Sequence, residues 1–414
     1  MTPGNGAASG CPVRFGSPDL VDPTLYSSGE AYHVWRELRA QERLQWQQVD
    51  EERGFWSVVK YADADLVLRD TGLFTSERGT LLELLGTDDP AGGQQLAVTD
   101  PPLHTQRQAR LKRALTIKAV DRQREMIRPL VAELLAPLGD GGVVDFADAM
   151  LAMPMWVTGT MMGLPREDWA WLTRITTMCI AADDPEFQDR GGKEATLNRA
   201  HLELFGYFQD VIDHRRRHLG DDLLSALLST RFEGRTMSPG EVISNCYSLL
   251  LGANVTTPHA PTFVMAEFVD SGVLTDWAAH PELNESAYAE ALRWASPVNH
   301  VMRYATADTV VRGTPVAAGE AVVVWLGSAN RDEEVFARSE TFDIRRRPNK
   351  HLAFGIGPHY CVGHSVARVT LGILFQELLG TYQDFEAAGK PERLISTFAS
   401  GYKHVPITAR RRAR

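Results

Sequence analysis

Hydrophobic and polar positions follow a helical period along most of the chain. Apolar side chains recur at three- and four-residue spacing, which predicts helices, in residues 31–42, 60–70, 121–138, 147–162, 167–179, 195–218, 285–294 and 366–379. A further helix is predicted to begin at Pro239, because Ser238 is a favourable cap and Glu241 falls in the first turn. Strand-like stretches are short, at residues 55–59 and 303–323. The pattern predicts a mainly α fold with a small β portion.

Two stretches interrupt this pattern. Residues 80–98 contain two leucine pairs followed by GTDDPAGGQQ, and residues 182–193 are polar and carry glycine, so both are predicted to be loops. No Pro/Ser/Gly-rich hinge, charge block or repeat divides the rest. We therefore predict a single large domain over residues 16–414, preceded by a flexible arm over residues 1–15 that is rich in Gly, Ala, Ser and Pro.

Charge and hydropathy exclude some classes of protein. The chain has 43 basic and 53 acidic residues, a net charge of −10, which argues against a nucleic-acid partner. No window approaches the roughly 18 consecutive apolar residues of a membrane-spanning helix. The N-terminal residues MTPGNGAASG have neither the positive nor the apolar segment of a secretory signal. We expect a cytoplasmic protein without a membrane partner.

One of the four cysteines, Cys361, stands in an unusual setting, HLAFGIGPHYCVGHSVARV. Gly355, Gly357 and Gly363 allow the backbone to bend tightly, and a helical pattern follows. The start of a helix favours a thiolate over a thiol. A thiolate held in a rigid turn suits one bond to a soft metal, and haem iron with a cysteine ligand is such a case.

Two simpler interpretations of Cys361 remain at this point. It can be a buried free cysteine in a glycine turn. It can also belong to a zinc site, since His351, His359 and His364 are close in sequence. Zinc sites favour Cys-x-x-Cys or two-pair spacing, which the chain lacks.

Several motifs together resemble the cytochrome P450 superfamily. FGIGPHYCVG (residues 354–363) is similar to the haem-binding signature of that family at every fixed position, and EALR (residues 290–293) is similar to its Glu-x-x-Arg pair. DPPLHT (residues 100–105) resembles the helix that carries a haem-propionate histidine, and ANRDEEVF and FDIRR resemble its later loop region. The resemblance spans residues 32–407 and is closest to soluble bacterial members. It implies a cytochrome P450-like fold, a haem b cofactor and O2 as co-substrate.

The resemblance also implies roles for individual residues. Cys361 is the axial ligand of the iron, and Phe354 and Gly355 belong to the surrounding turn. Buried propionates need cations or donors, and the three residues implied here are His104, Arg303 and His359. Gly252 and Ala253 leave room above the iron. Glu290, Arg293 and Arg346 form a structural cluster that braces the loop before the cysteine and are not catalytic.

The long helix departs from the family pattern in GANVTT, residues 252–257. Thr256 keeps the hydroxyl that in the family hydrogen-bonds the oxygen ligand, but Val255 stands where family members have an acid that relays protons. Pro258 and Pro261 follow, and we expect them to kink the helix beside Thr256. One hypothesis is that water held by freed carbonyls, Asn254 and Thr256 replaces the acid. Slow proton delivery beside a valine wall, and radical chemistry that needs less controlled protonation, remain alternatives.

A second departure follows His104. The family often has an arginine four residues on, where this chain has Gln108, and the adjacent Arg107 is a possible substitute for that propionate contact.

The resemblance places some residues against the substrate. These are Leu81, Leu82, Leu85, Val255, Val298, His300, Val301 and Phe398. Their mostly apolar content implies a mid-sized, largely apolar small molecule with a few hydrogen-bonding groups. A lone histidine such as His300 is more often a packed residue than a substrate ligand.

The resemblance accounts for nearly all 414 residues, so no segment of reductase size remains. We expect electrons from a ferredoxin served by a ferredoxin reductase. A basic run of Arg107, Arg110, Lys112 and Arg113 is either a solvated face or a docking patch for this partner. The predicted function is hydroxylation or epoxidation in bacterial natural-product biosynthesis. The alternatives are a non-hydroxylating oxidase that couples radicals or forms rings, and a haem-binding ligand sensor without turnover.

Overall fold

The computed structural model describes residues 19–114, 117–229, 231–232 and 235–413, so the predicted arm over residues 1–15 lies outside the described residues. The α-helices are α1 Thr24–Ser27, α2 Ala31–Arg39, α3 Tyr61–Arg69, α4 Leu103–Ala114, α5 Ile117–Leu135, α6 Phe146–Met162, α7 Trp169–Met178, α8 Gly192–Arg217, α9 Leu223–Ser229, α10 Pro239–Asn254, α11 His259–Phe268, α12 Val273–Ala279, α13 Asn284–Ala295, α14 Leu326–Ala329 and α15 His364–Thr381. Short 3₁₀ helices are Leu82–Leu84, Leu96–Val98, Ala136–Asp140, Arg166–Asp168 and Pro281–Leu283.

The strands are short. They are β1 Gln45–Gln48, β2 Gly54–Val58, β3 Phe74–Thr75, β4 Val144–Asp145, β5 Arg231–Phe232, β6 Arg235–Thr236, β7 His300–Ala305, β8 Thr309–Val311, β9 Thr314–Val316, β10 Ala321–Trp325, β11 Tyr382–Ala387, β12 Glu392–Arg393, β13 Tyr402–His404 and β14 Pro406–Arg411. The prediction of a mainly α fold with a small β portion is confirmed. In the part of the chain that the structure describes, no helix is long and apolar enough to cross a membrane.

A five-stranded sheet in the order β1-β2-β10-β7-β3 is the largest sheet. Strand β10 pairs parallel with β2 and antiparallel with β7. All five residues of β10 are buried, which fits its central place in the sheet. In this register Arg303 of β7 lies opposite Val322, so pairing in the sheet fixes the position of Arg303.

The remaining sheets are small. A three-stranded sheet has the order β11-β14-β4, and β5 with β6, β8 with β9 and β12 with β13 form two-stranded ladders. The strands after residue 380 were not predicted from the sequence. Apolar and polar residues alternate too weakly in them to separate a strand from a loop.

The largest hydrophobic core joins α5, α6, α11, α13 and α15. Side chains at its centre, each at most 1% exposed, include Ile127, Met150, Phe263, Ala291 and Leu374. Burial of such side chains contributes roughly 1.5–3 kcal/mol each for the larger ones. Helix α15 directly follows the Cys361 loop, so this core fixes the position of the loop.

Helix α10 begins as the sequence predicts and ends at the predicted kink. The Ser238 hydroxyl accepts from the N–H of Glu241 at 3.2 Å, and the Glu241 carboxylate accepts from the N–H of Ser238 at 2.8 Å. The helix ends at Asn254, and a new helix begins only at His259. Pro258 has no N–H to donate to the carbonyl of Asn254, so the α-helical ladder is interrupted there.

Candidate active site

The Cys361 loop forms a tight turn before α15. Gly355 and Gly357 have positive φ angles of 67° and 77°, which residues with side chains rarely adopt. A Cβ atom on Gly357 would lie 2.7 Å from the carbonyl oxygen of Leu68, so a larger residue does not fit. The N–H of Cys361 donates to the carbonyl oxygen of Phe354 at 2.9 Å. The turn therefore holds the sulfur in one place ahead of the helix.

The half-buried Cys361 lines a cavity of about 390 Å³. Burial raises the pKa of its thiol, and the N–H groups of Gly363 and His364, which donate to the sulfur, partly lower it. The loss of hydration therefore raises the pKa of the thiol by more than the N–H groups at the helix start lower it. The prediction that the helix start by itself stabilises a thiolate is not met in the protein. Coordination of the sulfur to a metal ion removes the thiol proton.

The cavity lies between the Cys361 loop and the end of α10. The predicted residues that line it are His104, Gly252, Ala253, Thr256, Val298, Val301, Phe354, Gly355, His359, Cys361 and Phe398. Gly252 is exposed to this space, and a Cβ atom there would meet no other atom within 4 Å. The cavity is thus open where the resemblance places a flat cofactor and a small ligand above it.

Three predicted residues with buried nitrogen atoms lie close together: His104 and His359 line the cavity, whereas Arg303 is near them but not among the lining residues. The rings of His104 and His359 lie 4.3 Å apart between centroids. His359 Nε2 lies 3.1 Å from a carboxylate oxygen of Asp100. Arg303 is 3% exposed, and its Nη1 donates to the carbonyl oxygen of Met302 at 2.8 Å. Among the described residues, His104 Nδ1 and Arg303 Nε have no hydrogen-bond partner.

Burial lowers the pKa values of the basic groups at this edge. Burial lowers the pKa of Arg303 to about 10, and burial with the nearby His359 lowers the pKa of His104 to about 4. Asp100 behaves oppositely: burial alone raises its pKa, but hydrogen bonds from His359, Thr75 and Ser76 lower it to about 2. Asp100 is therefore an ionised anchor for His359.

These residues fit a haem. The sulfur of Cys361 is the soft donor in one wall, and the other walls are mostly apolar. The buried nitrogens His104 Nδ1, at one edge, and Arg303 Nε, close to it, suit the acidic groups of the cofactor. The zinc alternative finds no support. Among the described residues no cluster of three or more potential metal ligands exists. His364 Nδ1 bonds the carbonyl oxygen of Cys361 at 2.8 Å, and His351 Nδ1 accepts from the N–H of Ala353.

Comparison with known proteins agrees with this geometry. Residues 279–400 match the family model described as Cytochrome P450. Cytochrome P450 NovI from Streptomyces niveus is 33% identical over 94% of this chain and 95% of its own. Linalool 8-monooxygenase from Pseudomonas putida is 30% identical over 94% of this chain and 98% of its own.

This chain belongs to the cytochrome P450 family.

Solved structures extend the likeness to the whole fold. P450 OxyD, which is involved in the biosynthesis of vancomycin-type antibiotics, has a TM-score of 0.84 at 31% identity and covers 95% of this chain and 100% of its own. Mycobacterium marinum CYP268A2, solved with pseudoionone, has a TM-score of 0.88 at 28% identity and covers 96% of this chain and 100% of its own. The predicted family, fold and enzyme class of a P450 monooxygenase are confirmed. The family implies haem iron, O2, a substrate and an electron donor.

In this P450 the side chain of Asn254, the last residue of α10, and that of Thr256, in the turn that follows, have different surroundings. Thr256 lines the cavity, and its hydroxyl donates to the carbonyl oxygen of Gly252 at 2.8 Å. The amide of Asn254 instead donates to Met155 Sδ at 3.3 Å and Thr176 Oγ1 at 3.4 Å. The expectation that Asn254 holds water beside Thr256 is therefore wrong, because the Asn254 amide is directed to α6 and α7 while Thr256 lines the cavity.

Val255 is also displaced from its predicted place. It is 4% exposed and belongs to the apolar core around α7, α8 and α10, and it is not among the residues that line the cavity. The prediction that it touches substrate is corrected to a packing role.

The three leucines of the loop at residues 80–98 that were predicted to contact substrate, Leu81, Leu82 and Leu85, do not line the cavity. Leu82 and Leu85 pack with Trp35 and Trp325 in the core below the five-stranded sheet, and Leu81 lies outside the cavity lining. Leu96 and Ala97, near the other end of the same loop, line the cavity instead. The sequence pattern could not separate the two ends, because both are apolar and the loop has no regular period.

His300 is the packed histidine of the simpler interpretation. Its Nε2 accepts from the N–H of Leu82 at 3.0 Å, and its Nδ1 lies 3.2 Å from the carbonyl oxygen of Thr397. Burial lowers its pKa to about 4, so the ring is neutral. The expectation of a substrate contact is wrong, because both ring nitrogens are used in joining two backbone segments.

Gln108 and Arg107 have separate roles in this P450. Gln108 lines the cavity, and its Nε2 donates to the carbonyl oxygen of Pro358 at 2.9 Å. Arg107 is 4% exposed and donates to the Glu241 carboxylate at 3.0 Å and to the carbonyl of Gly93 at 2.8 Å. Arg107 therefore neither replaces the missing propionate ligand nor belongs to a surface patch. The side chains of Arg110 and Arg113 lie outside the described residues, and Lys112 is exposed.

The structure brings Glu290, Arg293 and Arg346 together as one buried cluster. Arg293 donates to both carboxylate oxygens of Glu290 at 2.8 Å, and Arg346 Nε lies 3.0 Å from the same group. Arg293 also donates to the carbonyl oxygen of Asn330, and Asn330 accepts from the N–H of Leu352. The cluster thereby braces the segment that leads to Cys361 and lies away from the cavity.

Sequence reasoning missed part of the cavity wall and its anchor. Side chains of α6 and α10 that line the cavity are Pro154, Val157, Thr158, Met161, Asn245, Ser248 and Leu249. Helix α6 is apolar on most of its surface, so its pattern did not distinguish a cavity face from a core face. Asp100 is the first residue of the DPPLHT motif, but no role was predicted for it. Its place in that motif is the sequence feature that could have indicated one.

Proposed function

We propose that this P450 binds haem b through Cys361 and inserts one oxygen atom of O2 into a small organic molecule by hydroxylation or epoxidation. The observation that carries the proposal is the Cys361 sulfur in the wall of a cavity that His104, with an unpartnered nitrogen, also lines. The unpartnered donor of Arg303 is buried near His104. Bound haem supplies the one-electron and O2 chemistry, and a cysteine ligand favours O–O cleavage. Phe354 and Gly355 complete the turn around the sulfur.

His104, Arg303 and His359 hold the acidic side chains of the cofactor. Arg303 is buried without a carboxylate at salt-bridge distance among the described residues, so an acidic partner removes the cost of an isolated buried cation. The ionised Asp100 holds His359 through its Nε2 atom, and the His359 side chain also lines the cavity. Gly252 and Ala253 keep the space on the opposite wall clear.

Thr256 positions a proton above the cavity. Its hydroxyl donates to the Gly252 carbonyl in the free protein and can turn to donate into the cavity. The acid of the family pattern is absent, and Val255 packs in the core. The carbonyl of Asn254 has lost its helical donor to Pro258, and Thr257 also lines the cavity. Water held by this carbonyl and the two threonine hydroxyls carries protons to Thr256.

The cavity wall favours a mid-sized, largely apolar substrate. Leu96, Val157, Leu249 and Val298 are typical of its lining, with Thr158, Asn245 and Ser248 as polar positions. The similar proteins include a monooxygenase named for linalool and a P450 of vancomycin-type antibiotic biosynthesis. The first supports a small, largely apolar substrate, and the second supports a role in bacterial natural-product biosynthesis.

A ferredoxin, reduced by a ferredoxin reductase, supplies the electrons. Lys112 and Arg368 are exposed, and both act electrostatically on His364, which bonds the carbonyl of the cysteine ligand. Positive charge is thus exposed on the thiolate side, where an acidic partner is steered by charge. Lys112→Glu should lower the ferredoxin association rate in a salt-dependent way, and Lys390→Glu, on an exposed turn, should not.

A second function, radical coupling or ring formation on the same haem, is favoured by one observation. Val255 removes the acid that controls protonation, and such chemistry needs less proton control. Product masses distinguish the two functions, because monooxygenation adds one oxygen atom and coupling removes hydrogen. A haem-binding sensor would consume no reducing equivalents in response to substrate.

The deciding experiment is a spectrum of the reduced protein under carbon monoxide. Wild type should give the far-red-shifted Soret band of a thiolate-ligated haem, and Cys361→Ser should lose it. A band at the position of histidine-ligated haem in wild type would overturn the proposal. Turnover with a ferredoxin system and mass analysis of products then separates monooxygenation from coupling.

A further inference from the structure

The loop that precedes α4 is attached to the first half of α10. The side chain of Gln95 donates from Nε2 to the carbonyl oxygen of Ser244 at 3.1 Å. The N–H of Leu96 donates to Asn245 Oδ1 at 3.0 Å, and Asn245 Nδ2 donates to the carbonyl oxygen of Gln94 at 3.3 Å. Three hydrogen bonds therefore hold this stretch of the loop on two neighbouring residues of α10.

A buried ion pair keeps the same stretch in place. Arg107 Nη1 donates to the carbonyl oxygens of Gly93 and Gln94 at 2.8 and 2.9 Å. Its Nη2 donates to one carboxylate oxygen of Glu241, and the other oxygen of that carboxylate caps α10. The position of the Gln95 side chain against α10 is thus fixed by groups of the protein itself.

The contact of Gln95 changes the hydrogen bonding of Ser248, one turn further along α10. A backbone carbonyl oxygen has two lone pairs. That of Ser244 accepts from the helical N–H of Ser248 and from the amide of Gln95, so both are in use. A helical serine or threonine hydroxyl commonly bonds the carbonyl four residues back, as those of Thr176 and Thr196 do at 2.8 Å. For Ser248 that acceptor is already taken.

The Ser248 hydroxyl is accessible from the cavity. Ser248 is half-buried, and it is one of the residues that line the cavity. Among the described residues its hydroxyl has no hydrogen-bond partner, and its oxygen is not sealed off by protein. An unpaired hydroxyl in a largely apolar cavity wall suits donation to an oxygen atom of a ligand.

The other side chains on this face of α10 offer no free donor before Gly252. Leu249 and Gly252 line the cavity without a polar side-chain atom. Asn245 is polar, but its Oδ1 accepts from the N–H of Leu96 and its Nδ2 donates to two carbonyl oxygens. Along this part of the helix, Ser248 is therefore the lining side chain that can still donate to a ligand.

We propose that the Ser248 hydroxyl, kept from its own helix by Gln95, donates a hydrogen bond to an acceptor oxygen of the substrate. The inference rests on the proposed function and names the substrate class: an apolar molecule that carries a carbonyl, ester or hydroxyl oxygen. Ser248 is a specificity-determining residue, and Gln95 is a positioning residue. Thr256 follows Ser248 by eight residues, roughly 12 Å along a helix axis, so the oxidised carbon lies remote from the acceptor oxygen.

The test uses 2-undecanone and 2-methyl-1-undecene, in which a methylene group replaces the carbonyl oxygen. Dissociation constants are measured from the iron spin state and by calorimetry, on the haem-loaded wild type, Ser248→Ala, Gln95→Met and the double variant. The two probes share chain length and shape, so the ratio of their dissociation constants reports the carbonyl oxygen. Ser244→Ala is the matched control, because it removes a hydroxyl of the same helix outside the cavity lining and leaves the Ser244 carbonyl in place.

Ser248→Ala should weaken binding of the ketone about fivefold or more and leave binding of the alkene within about twofold, because one hydrogen bond is lost. Gln95→Met should weaken ketone binding in the same direction, since the freed Ser244 carbonyl can accept from the Ser248 hydroxyl. The double variant should bind the ketone no more weakly than Ser248→Ala, because Gln95 acts through Ser248. Ser244→Ala should bind both probes like wild type.

The products give a second measurement. Wild type should oxidise 2-undecanone in the half of the chain remote from the carbonyl, and Ser248→Ala should spread oxidation along the chain. Oxidation next to the carbonyl in wild type would contradict the placement of the acceptor oxygen at Ser248.

An unchanged ratio of dissociation constants in Ser248→Ala, or failure of wild type to bind the ketone, would overturn the inference. Additive losses in the double variant would show that Gln95 acts independently of Ser248 and would reject its positioning role. The carbon monoxide spectrum separates these failures from that of the proposed function. A normal thiolate band with an unchanged ratio rejects the role of Ser248 alone, and absence of that band in wild type rejects the haem-thiolate function itself.

Discussion

The hydroxyl of Thr256 donates a hydrogen bond of 2.8 Å to the carbonyl oxygen of Gly252, across the cavity wall at the end of α10. The bond spans one helical turn directly before the ladder is interrupted by Pro258. It fixes the threonine on the cavity side, whereas the preceding residue, Val255, packs in the core. The most direct prediction therefore concerns this hydroxyl.

Thr256→Val should reduce product formed per electron on the order of a hundredfold, because the methyl group keeps the shape and removes the proton donor. Electron consumption should continue, with hydrogen peroxide accumulating in place of product. Thr370→Val, also on the cavity wall but outside the proposed water relay, is the matched control and should retain most of the coupling. Unchanged coupling in Thr256→Val would show that the hydroxyl has no part in proton delivery.

Val255→Asp should destabilise the protein and leave proton delivery unrepaired. The side chain lies in the core of α7, α8 and α10, where a carboxyl is buried without a built partner. We expect the free energy of unfolding to fall by about 3 kcal/mol. Denaturant unfolding measures the loss, and Val255→Ile is the apolar control. A gain in coupled product with unchanged stability would contradict the packing role.

Arg303→Met should have opposite effects on the haem-free and haem-loaded protein. Without haem the substitution removes a buried cation that has no acidic partner, so the unfolding midpoint should stay the same or rise. With haem it removes a charged hydrogen-bond donor, and haem transfer to apomyoglobin should become about tenfold faster or more. An equal loss of stability in both forms would indicate a packing role only.

Glu290→Gln should prevent stable folding of the segment before Cys361. The carboxylate is fully buried and bonded to both Arg293 and Arg346, and loss of its charge leaves two buried cations. Breaking such a pair costs roughly 3–5 kcal/mol. Thermal unfolding and haem content are the measurements, and Glu285→Gln, on the exposed face of the same helix, is the control. Normal haem content in Glu290→Gln would argue against the bracing role.

His404 should stabilise the protein more at low pH than at high pH. Burial alone lowers its pKa, but hydrogen bonds to Asp145 at 2.6 Å and Glu186 at 2.9 Å raise it above 6.5. Asp148 and Lys403 are the other charged groups nearby. The folded-state pKa exceeds the unfolded one, so the stabilisation is present below the unfolded pKa and disappears as pH rises through the folded pKa.

Unfolding of wild type and His404→Gln at several pH values checks this. The difference in unfolding free energy should be largest near about pH 6 and smallest near about pH 8.5. His33→Gln, on the exposed face of α2, is the control and should show no such trend. A difference that grows with pH would reverse the sign and reject the ion pairs.

Local features of this protein were predictable from sequence, because the residues that interact in them are neighbours along the chain. The glycine turn around Cys361 is contiguous, Ser238 and Glu241 cap one helix, and Glu290 and Arg293 lie one turn apart. The break after Asn254 follows from Pro258 directly. In each case covalent geometry and short-range hydrogen bonding determine the result.

The directions of side chains and their distant partners were decided by tertiary structure. Arg107 finds Glu241 at a separation of 134 residues, and Asn254 turns toward Met155 because α6 packs on that side of α10. Leu82 and Leu96 share one loop, but packing buries the first in a core and leaves the second on the cavity wall. A periodic pattern identifies an apolar side chain, and only the packing of other segments determines whether it meets core, cofactor or substrate.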